Sequence, residues 1–499
     1  MPDLTNTRIT RRRVLALGAF GGAALLLPRS DLSARASGAD GPRTITGTND
    51  GAAYRIQIPA NWNGTLVLYS QGNTHHATPL EVGDPVTGAG LLARGYALAG
   101  SAYSAEGYAV AAALDNQIAL LDLFSRRVGT PDRTIAWGDS QGGLITAGLV
   151  QRYPKRFAGA LPMCGLVMGG VAALNLFLDL QFALKTLLAP DDAGLEVAHF
   201  TDVDATIQRT LDLLSAAQQS PAGRARVALA AALGQIADYG QAPPHPAPTD
   251  YAARARNQAD ALGYYVVRLW TATRASAEQK ARGNPAFTTG VRYRDLFARA
   301  AQRDIAETLY TVAGLDLDAD LRALDDAPRI AADPRALEYV RRFIVLDGKV
   351  AMPILTLHTI GDPAAPVAAE RAYADAVRAA GHSHLLRQLY VDREGHCTFS
   401  PAERLAAFAE LMRRIDTGCW DEGGLTPAAL NSAATALGPA ANVVREPAPA
   451  PIRNPNPVAS AFATFQPPSF LRPFDASTHR PYGGAGARED RRQPPGATS

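Results

Sequence analysis

One stretch limits the folds open to this chain more than any other. It is Gly138-Asp139-Ser140-Gln141-Gly142, set between a short apolar run, Ile135-Ala136-Trp137, and a helical pattern from Leu144 to Tyr153. A serine flanked by glycines where a strand meets a helix describes a turn too tight for side chains on either side. Gly138 and Gly142 carry no Cβ to collide with neighbouring backbone. Ser140 is then pushed out at the sheet edge, and the N–H of Gln141 stands at a helix start, where the helix itself supplies no partner. That suits an attacking hydroxyl beside an amide able to bind an oxyanion. The five-residue pattern alone also arises by chance in glycine-rich chains, so its meaning rests on what surrounds it.

The N-terminus reads as an export signal rather than as part of a fold. Arg11-Arg12-Arg13 precede Val14-Leu15, an apolar stretch runs to Leu27, and Ala34-Arg35-Ala36 offers a small-residue cleavage site, so residues 1–36 are assigned to it. Thr10-Arg11-Arg12-Arg13-Val14-Leu15 resembles a twin-arginine signal, which implies passage through that export machinery to a secreted, periplasmic or cell-wall location. A merely basic signal of the general secretory route is the alternative. The run is too short and too diluted by Gly and Ala to span a bilayer, so no stable membrane insertion is expected once it is removed.

The rest is the composition of an exported globular protein. Its 499 residues exceed one comfortable core, which implies two domains or one with a large insertion. A formal net charge of +2, with acids and bases interspersed, leaves no electrostatic footprint for nucleic acid. Cys164, Cys397 and Cys419 permit one bridge and one spare thiol, not a disulfide scaffold. No C-x-x-C, H-E-x-x-H or glycine-rich phosphate loop occurs, so neither metal nor cofactor is expected.

Strand and helix patterns alternate along the first third. Tyr54, Ile56 and Ile58 alternate with Arg55 and Gln57, and Asn61-Trp62-Asn63-Gly64 then turns into the buried run Thr65–Tyr69. Ser70-Gln71-Gly72-Asn73-Thr74-His75-His76 follows it. A glycine loop there, ahead of the elbow, is where a second oxyanion donor belongs, at Gln71 or Gly72; an ordinary glycine turn is the alternative. His75 and His76 read as pocket-lining or simply solvated. Gly95–Ser101 is a further strand, Asp115–Arg127 an amphipathic helix, and Phe157–Gly165 one more strand. Such alternation implies a mostly parallel sheet covered on both faces.

From about Gly169 the strand signals stop, and residues 169–345 read as helices broken at prolines. Val171–Leu188 is apolar almost all round, as in a buried helix. The region is expected to be a helical cap inserted between two strands, with an unrelated helical domain as the alternative. The sheet resumes at Pro353–His358 and leads to Asp362. The helix Ala368–Ala380 and the strand Leu385–Val391 then lead to Glu394-Gly395-His396-Cys397. Residues 421–499 turn to Ala, Pro, Gly and Asn. There Phe462–Phe474 has the aromatics of a docking arm, and 483–499 the composition of a disordered end.

An elbow serine, an acid after a late strand and a histidine after the last strand follow the chain order of α/β-hydrolases. Ser140, Asp362 and His396 stand in that order. Pro-Ile-Leu-x-Leu-His-x-x-x-Asp and Gly-His-x-x-Phe resemble the surroundings found in esterase and peptidase members. The resemblance covers residues 54–168 and 350–415. It implies an eight-stranded, mostly parallel sheet (core 43–168 and 346–420); the cap, expected after the sixth strand, lies outside the resemblance. It also implies Ser140 as nucleophile, His396 as base and Asp362 as the acid that orients it. Asp362 as a plain turn residue before Pro363, with Asp392 or Glu394 as the acid, stays open. Gln71-Gly72 stands where many members have His-Gly. Cys397 after His396 resembles tannase and feruloyl esterase relatives, but their second cysteine precedes the serine, where this chain has Asp139.

The expectation is an exported serine hydrolase of small-molecule or polymeric carboxylic esters. An exopeptidase of the same fold, or a non-catalytic binder built on it, is the alternative. The apolar first cap helix suits an acyl chain or ring, with its polar Asn175 and Asp179 as selectivity positions. The cap acids Asp202, Asp204, Asp316, Asp318 and Asp320 read as solvated loop faces. Cys397 is expected to pair with Cys419, leaving Cys164 a buried thiol.

Overall fold

The computed structural model describes residues 41–73, 80, 82–239, 245–444 and 457–474. The export signal, His75, His76 and residues 483–499 therefore lie outside the described residues. Among the described residues nine strands form one sheet: β1 (Arg43–Asn49), β2 (Ala52–Ile58), β3 (Thr65–Ser70), β4 (Ala97–Ser101), β5 (Arg133–Asp139), β6 (Gly159–Met163), β7 (Ile354–Gly361), β8 (Leu386–Glu394) and β9 (Phe462–Ala463). Their order is β1-β2-β4-β3-β5-β6-β7-β8-β9. From β4 to β8 every pairing is parallel, while β1–β2, β2–β4 and β8–β9 are antiparallel. β3, β6 and β7 are buried at every position, as befits parallel strands covered on both faces. This is the α/β-hydrolase architecture. It departs from the eight expected strands only at β9, two residues of the C-terminal stretch that cover the outer edge of β8.

Between β6 and β7 the chain is helical. The helix Gly170–Leu188 is long and apolar enough to cross a membrane, yet 83% of its apolar window is buried inside the protein. It is the centre of the insertion. Its apolar residues belong to the same core cluster as Ile56, Leu68 and Ala136 of the sheet, so the insertion shares its core with the sheet.

The two polar residues expected to select substrate on that helix are instead braces. Asn175 accepts the N–H of Phe287 at 3.0 Å. Asp179 takes Arg472 at 2.7 and 2.8 Å and the Tyr293 hydroxyl at 2.9 Å. Both side chains are buried. Arg472 belongs to the C-terminal arm, which docks by burying Phe470 and Leu471 and by a bond from the Leu471 N–H to Gln235.

Candidate active site

Ser140 sits at φ 59°, ψ −124°, a backbone conformation that side chains rarely tolerate. The flanking glycines explain how it is held. A Cβ on Gly142 would run into the carbonyl of Ser70, and one on Gly138 would meet that carbonyl and the backbone of Gly142. β3, β5 and the following helix, Gln141–Arg152, thus close on one another at the serine. The Ser140 N–H is fixed by the Met163 carbonyl of β6 at 2.9 Å.

Three side chains from three strand ends meet here. His396 Nε2 lies 2.7 Å from Ser140 Oγ, and its Nδ1 lies 2.8 and 3.0 Å from the Asp362 carboxylate. A carboxylate only accepts, so Nδ1 carries the proton and Nε2 is left to accept from the serine hydroxyl. Asp362 is fully buried, and its Oδ1 also accepts the N–H groups of Ala364 and Ala365 at 2.8 and 2.9 Å. The alternative acids lie elsewhere. β8 extends to Glu394, so Asp392 and Glu394 are strand residues, and Asp392 faces Tyr239 and His245.

The residues expected on the oxyanion side also lie close to the serine. Gly72 packs against Ser140: a Cβ on it would stand 3.3 Å from the serine Cβ. The Gln71 carbonyl accepts the hydroxyl of buried Tyr103 at 3.1 Å, and Gln117 donates to the carbonyl of Tyr69 and to Ser70 Oγ. Burial pushes the Tyr103 hydroxyl well up, so it remains a donor. Gln141, first residue of its helix, anchors its side chain on the Gly107 carbonyl at 3.0 Å. Gln141 and the Gln71–Gly72 turn thus both lie beside the serine.

The disulfide is Cys164–Cys397, with Cα atoms 5.4 Å apart, and Cys419 is a free, exposed cysteine. The expected Cys397–Cys419 pair fails for a physical reason. The 17-residue helix Pro401–Thr417 carries Cys419 about 25 Å along its axis from the histidine loop. Cys164 instead follows β6, whose Met163 pairs with Asp139 of β5, so Cys164 stands beside the elbow itself. Its place just past a strand end, like that of Ser140, is the sequence signal that could have found it. Cys164, Cys397 and His396 also have ligating atoms within 4.8 Å of one another, but both sulfurs are spent on each other.

Asp139, where the resemblance would put a cysteine, binds buried Arg404 at 2.6 Å and the Tyr69 hydroxyl at 3.1 Å. Arg404 reaches the Cys397 carbonyl at 3.4 Å. Burial, the largest single influence, lowers the guanidinium's pKa, but the charges of Asp139, Asp84 and Tyr69 and the bond to Asp139 together outweigh it and the net direction is up. The elbow and the histidine loop are therefore tied twice, by the disulfide and by this ion pair.

The cap supplies the roof. In the helix Val267–Ala281, Thr273 accepts from Asn73 of the loop after β3, Ser276 accepts the Tyr108 N–H, and Trp270 donates to the Ala364 carbonyl beside Asp362. Just before it a π-helical turn, Leu262–Val266, brings the Tyr265 ring to 6.2 Å from the His396 ring. Such turns recur at functional sites, and no sequence periodicity announces them. Of the cap acids, Asp202 and Asp316 cap helix starts, Asp318 pairs with Arg294, and Asp320 holds Arg226 and Tyr310. Asp204 lies in the first turn of the helix that Asp202 caps.

No protein-family model matches the chain. It is similar to the o-phthalyl amidase of Xanthobacter agilis, 29% identical over 406 residues, covering 74% of this chain and 86% of that protein. Among solved structures it aligns with feruloyl esterase B of Aspergillus oryzae: TM-score 0.38, 12% identity, 75% of this chain and 80% of that one. It also aligns with the acylaminoacyl peptidase of Pyrococcus horikoshii: TM-score 0.33, 9% identity, 75% of this chain but only 41% of that one.

Proposed function

We propose that this chain is an exported serine hydrolase that cleaves carboxylic esters through an acyl-enzyme on Ser140. The observation that carries the reading is the 2.7 Å contact between Ser140 Oγ and His396 Nε2, with Asp362 on the other ring nitrogen. His396 takes the serine proton as Oγ attacks the acyl carbon. The amides of Gln141 and of the Gln71–Gly72 turn receive the oxyanion. His396 then returns the proton to the leaving group, and water repeats the sequence on the acyl-enzyme. A buried disulfide at the site accords with export, since such bonds persist in oxidising compartments.

A second reading has an observation of its own. The similarity to an o-phthalyl amidase favours amides of a small aromatic acid, which the same machinery can acylate from. The exopeptidase reading loses ground, because four of the five cap acids are engaged in helix caps or with arginines instead of facing a substrate amine.

Labelling with a fluorophosphonate, located by peptide mapping, tests the nucleophile: modification at Ser140 is expected, and an unlabelled wild-type protein overturns the reading. kcat/KM on p-nitrophenyl esters, on anilides of aromatic acids and on aminoacyl p-nitroanilides tests the bond. Esters are expected to lead. A clear preference for the aromatic-acid anilides would establish the amidase reading instead.

A further inference from the structure

Behind Asp362 stands a second buried histidine that the proposed mechanism leaves unused. His358 of β7 is fully buried, and both of its ring nitrogens meet acceptors. Nδ1 lies 3.0 Å from Glu370 Oε1, and Nε2 lies 2.9 Å from the Ala365 carbonyl and 3.7 Å from Asp362 Oδ2. Glu370, on the helix Ala368–Ala379, is also fully buried. Its Oε2 accepts the Thr356 hydroxyl and the Gln388 amide, each at 2.5 Å. A neutral imidazole has one donor and one acceptor nitrogen. In the neutral ring one nitrogen would face an acceptor with a lone pair unless Glu370 held the proton, and the two donors on Glu370 Oε2 favour its carboxylate form and with it the doubly protonated ring.

The geometry points to His358 and Glu370 as positioning residues: a fixed imidazolium–carboxylate pair behind Asp362 that sets how strongly Asp362 acts on His396. The inference rests on the serine-hydrolase reading above. Ser140, His396, Asp362, His358 and Glu370 form one row in which carboxylates and imidazoles alternate. The His358 cation draws on the same carboxylate that holds His396, through Oδ2. It also grips the Ala365 carbonyl, in the turn whose N–H groups hold Oδ1. A carboxylate shared with a second cation pulls less on the first.

Burial by itself would drive His358 toward its neutral form. The bond to Glu370 and the charges of Glu370 and Asp362 outweigh it, and its pKa is raised. The other groups around it do not compete. Tyr390, its partner on β8, and Tyr373 are pushed up by burial and by the charge of Glu370, so both stay neutral. Met163 of β6 and Leu357 of β7 pair on the other side. The charged groups on the histidine loop are the Asp139–Arg404 pair, which reaches the Cys397 carbonyl, the Arg393–Glu403 pair, which holds the Thr398 carbonyl, and Glu394 two residues back.

The test is the pH dependence of kcat/KM in His358→Gln, Glu370→Gln and the double variant. Losing either member dissolves the cation. The whole Asp362 charge then falls on His396, and the acid limb is expected to move to higher pH. The double variant is expected to shift no further than either single one, with KM unchanged throughout. An acid limb that stays in place, whatever happens to the plateau, overturns the inference, because a merely structural role would lower the plateau alone. Ser140→Ala, assayed alongside, separates the two levels. Surviving turnover there would overturn the serine mechanism and this inference with it. A dead Ser140→Ala with an unmoved limb overturns this inference only. Should the His358 variants fail to fold, nitrogen NMR of the histidine-labelled wild-type protein decides. His358, assigned by its shift in Glu370→Gln or as the ring bonded to a carboxylate and a carbonyl, is expected to lose its second proton only above the ordinary 6.5. A ring that loses it at or below pH 6.5 refutes the inference.

Discussion

Cys164 and Cys397, 233 residues apart in sequence, join the end of β6 to the residue that follows His396. The bond fixes the histidine loop beside the strand end that also anchors the Ser140 N–H, so one covalent link sets the spacing between proposed nucleophile and base. Removing it by Cys164→Ser is expected to cost about 2–5 kcal/mol of stability. Turnover should fall further than the unfolded fraction explains, because Cys397 takes φ 58° within that loop and loses its tether. Denaturant unfolding and kcat, with and without reductant, check both. Alkylation of Cys397 in the unreduced wild-type protein would end the argument; only Cys419 is expected to react.

The acid of the row is set by burial and aim. Asp362 is enclosed and bonded to His396, whereas Asp392 lies toward Tyr239 and His245. Asp362→Asn is expected to lower kcat by about four orders of magnitude while leaving the fold intact, because the histidine loses its tautomer control. Asp392→Asn should change kcat by less than a factor of about three, since it is partnered away from the histidine. Steady-state kinetics on the two variants decide, and the reverse ranking would move the acid to β8.

How much of this is legible in sequence depends on how far each partner lies from a local signal. Ser140, Asp362 and His396 each follow an apolar run at the carboxyl end of a strand, so pattern and chain order suffice to single them out. The Cys164–Cys397 pair is decided by strand order, which places β6 next to β5 and β7, and no spacing rule encodes that. Asp179 and Arg472 are 293 residues apart and meet only because the arm crosses back to the cap. On sequence alone, a lone acid on an apolar helix reads equally well as a pocket residue. Tyr265 depends on a π-helical turn, and the role of His358 on acceptors supplied by two other elements.

The arm itself invites a test. Arg472 places two bonds on buried Asp179 and one on the Phe287 carbonyl, joining the C-terminal stretch to the centre of the cap. Burial already pushes the Asp179 carboxyl up, with Arg472 and Tyr293 working against that. Arg472→Ala leaves the group enclosed without its cation, and losing one member of a buried pair typically costs about 3–5 kcal/mol. Arg472→Met with Asp179→Leu should recover much of that loss, because the desolvation penalty disappears along with the bridge. Thermal unfolding of the three proteins checks this. A single variant as stable as wild type would mean that the arm adds nothing to the cap.

His358 also makes a prediction about stability that is independent of turnover. Its partners exist only in the folded chain, so its folded pKa lies above the ordinary value of 6.5 that it has when unfolded. Between those two values the folded state binds a proton that the unfolded state has lost. The stabilisation is therefore complete below about pH 6.5 and is lost as the pH rises through the folded value. Wild-type Tm, measured from pH 6 to pH 10, should fall with rising pH more steeply than the Tm of His358→Gln, so the gap between the two narrows toward alkaline pH. A gap that stays constant or widens with pH would mean that His358 gains no proton affinity on folding. The imidazolium would then have to be withdrawn even if the histidine remained essential for packing.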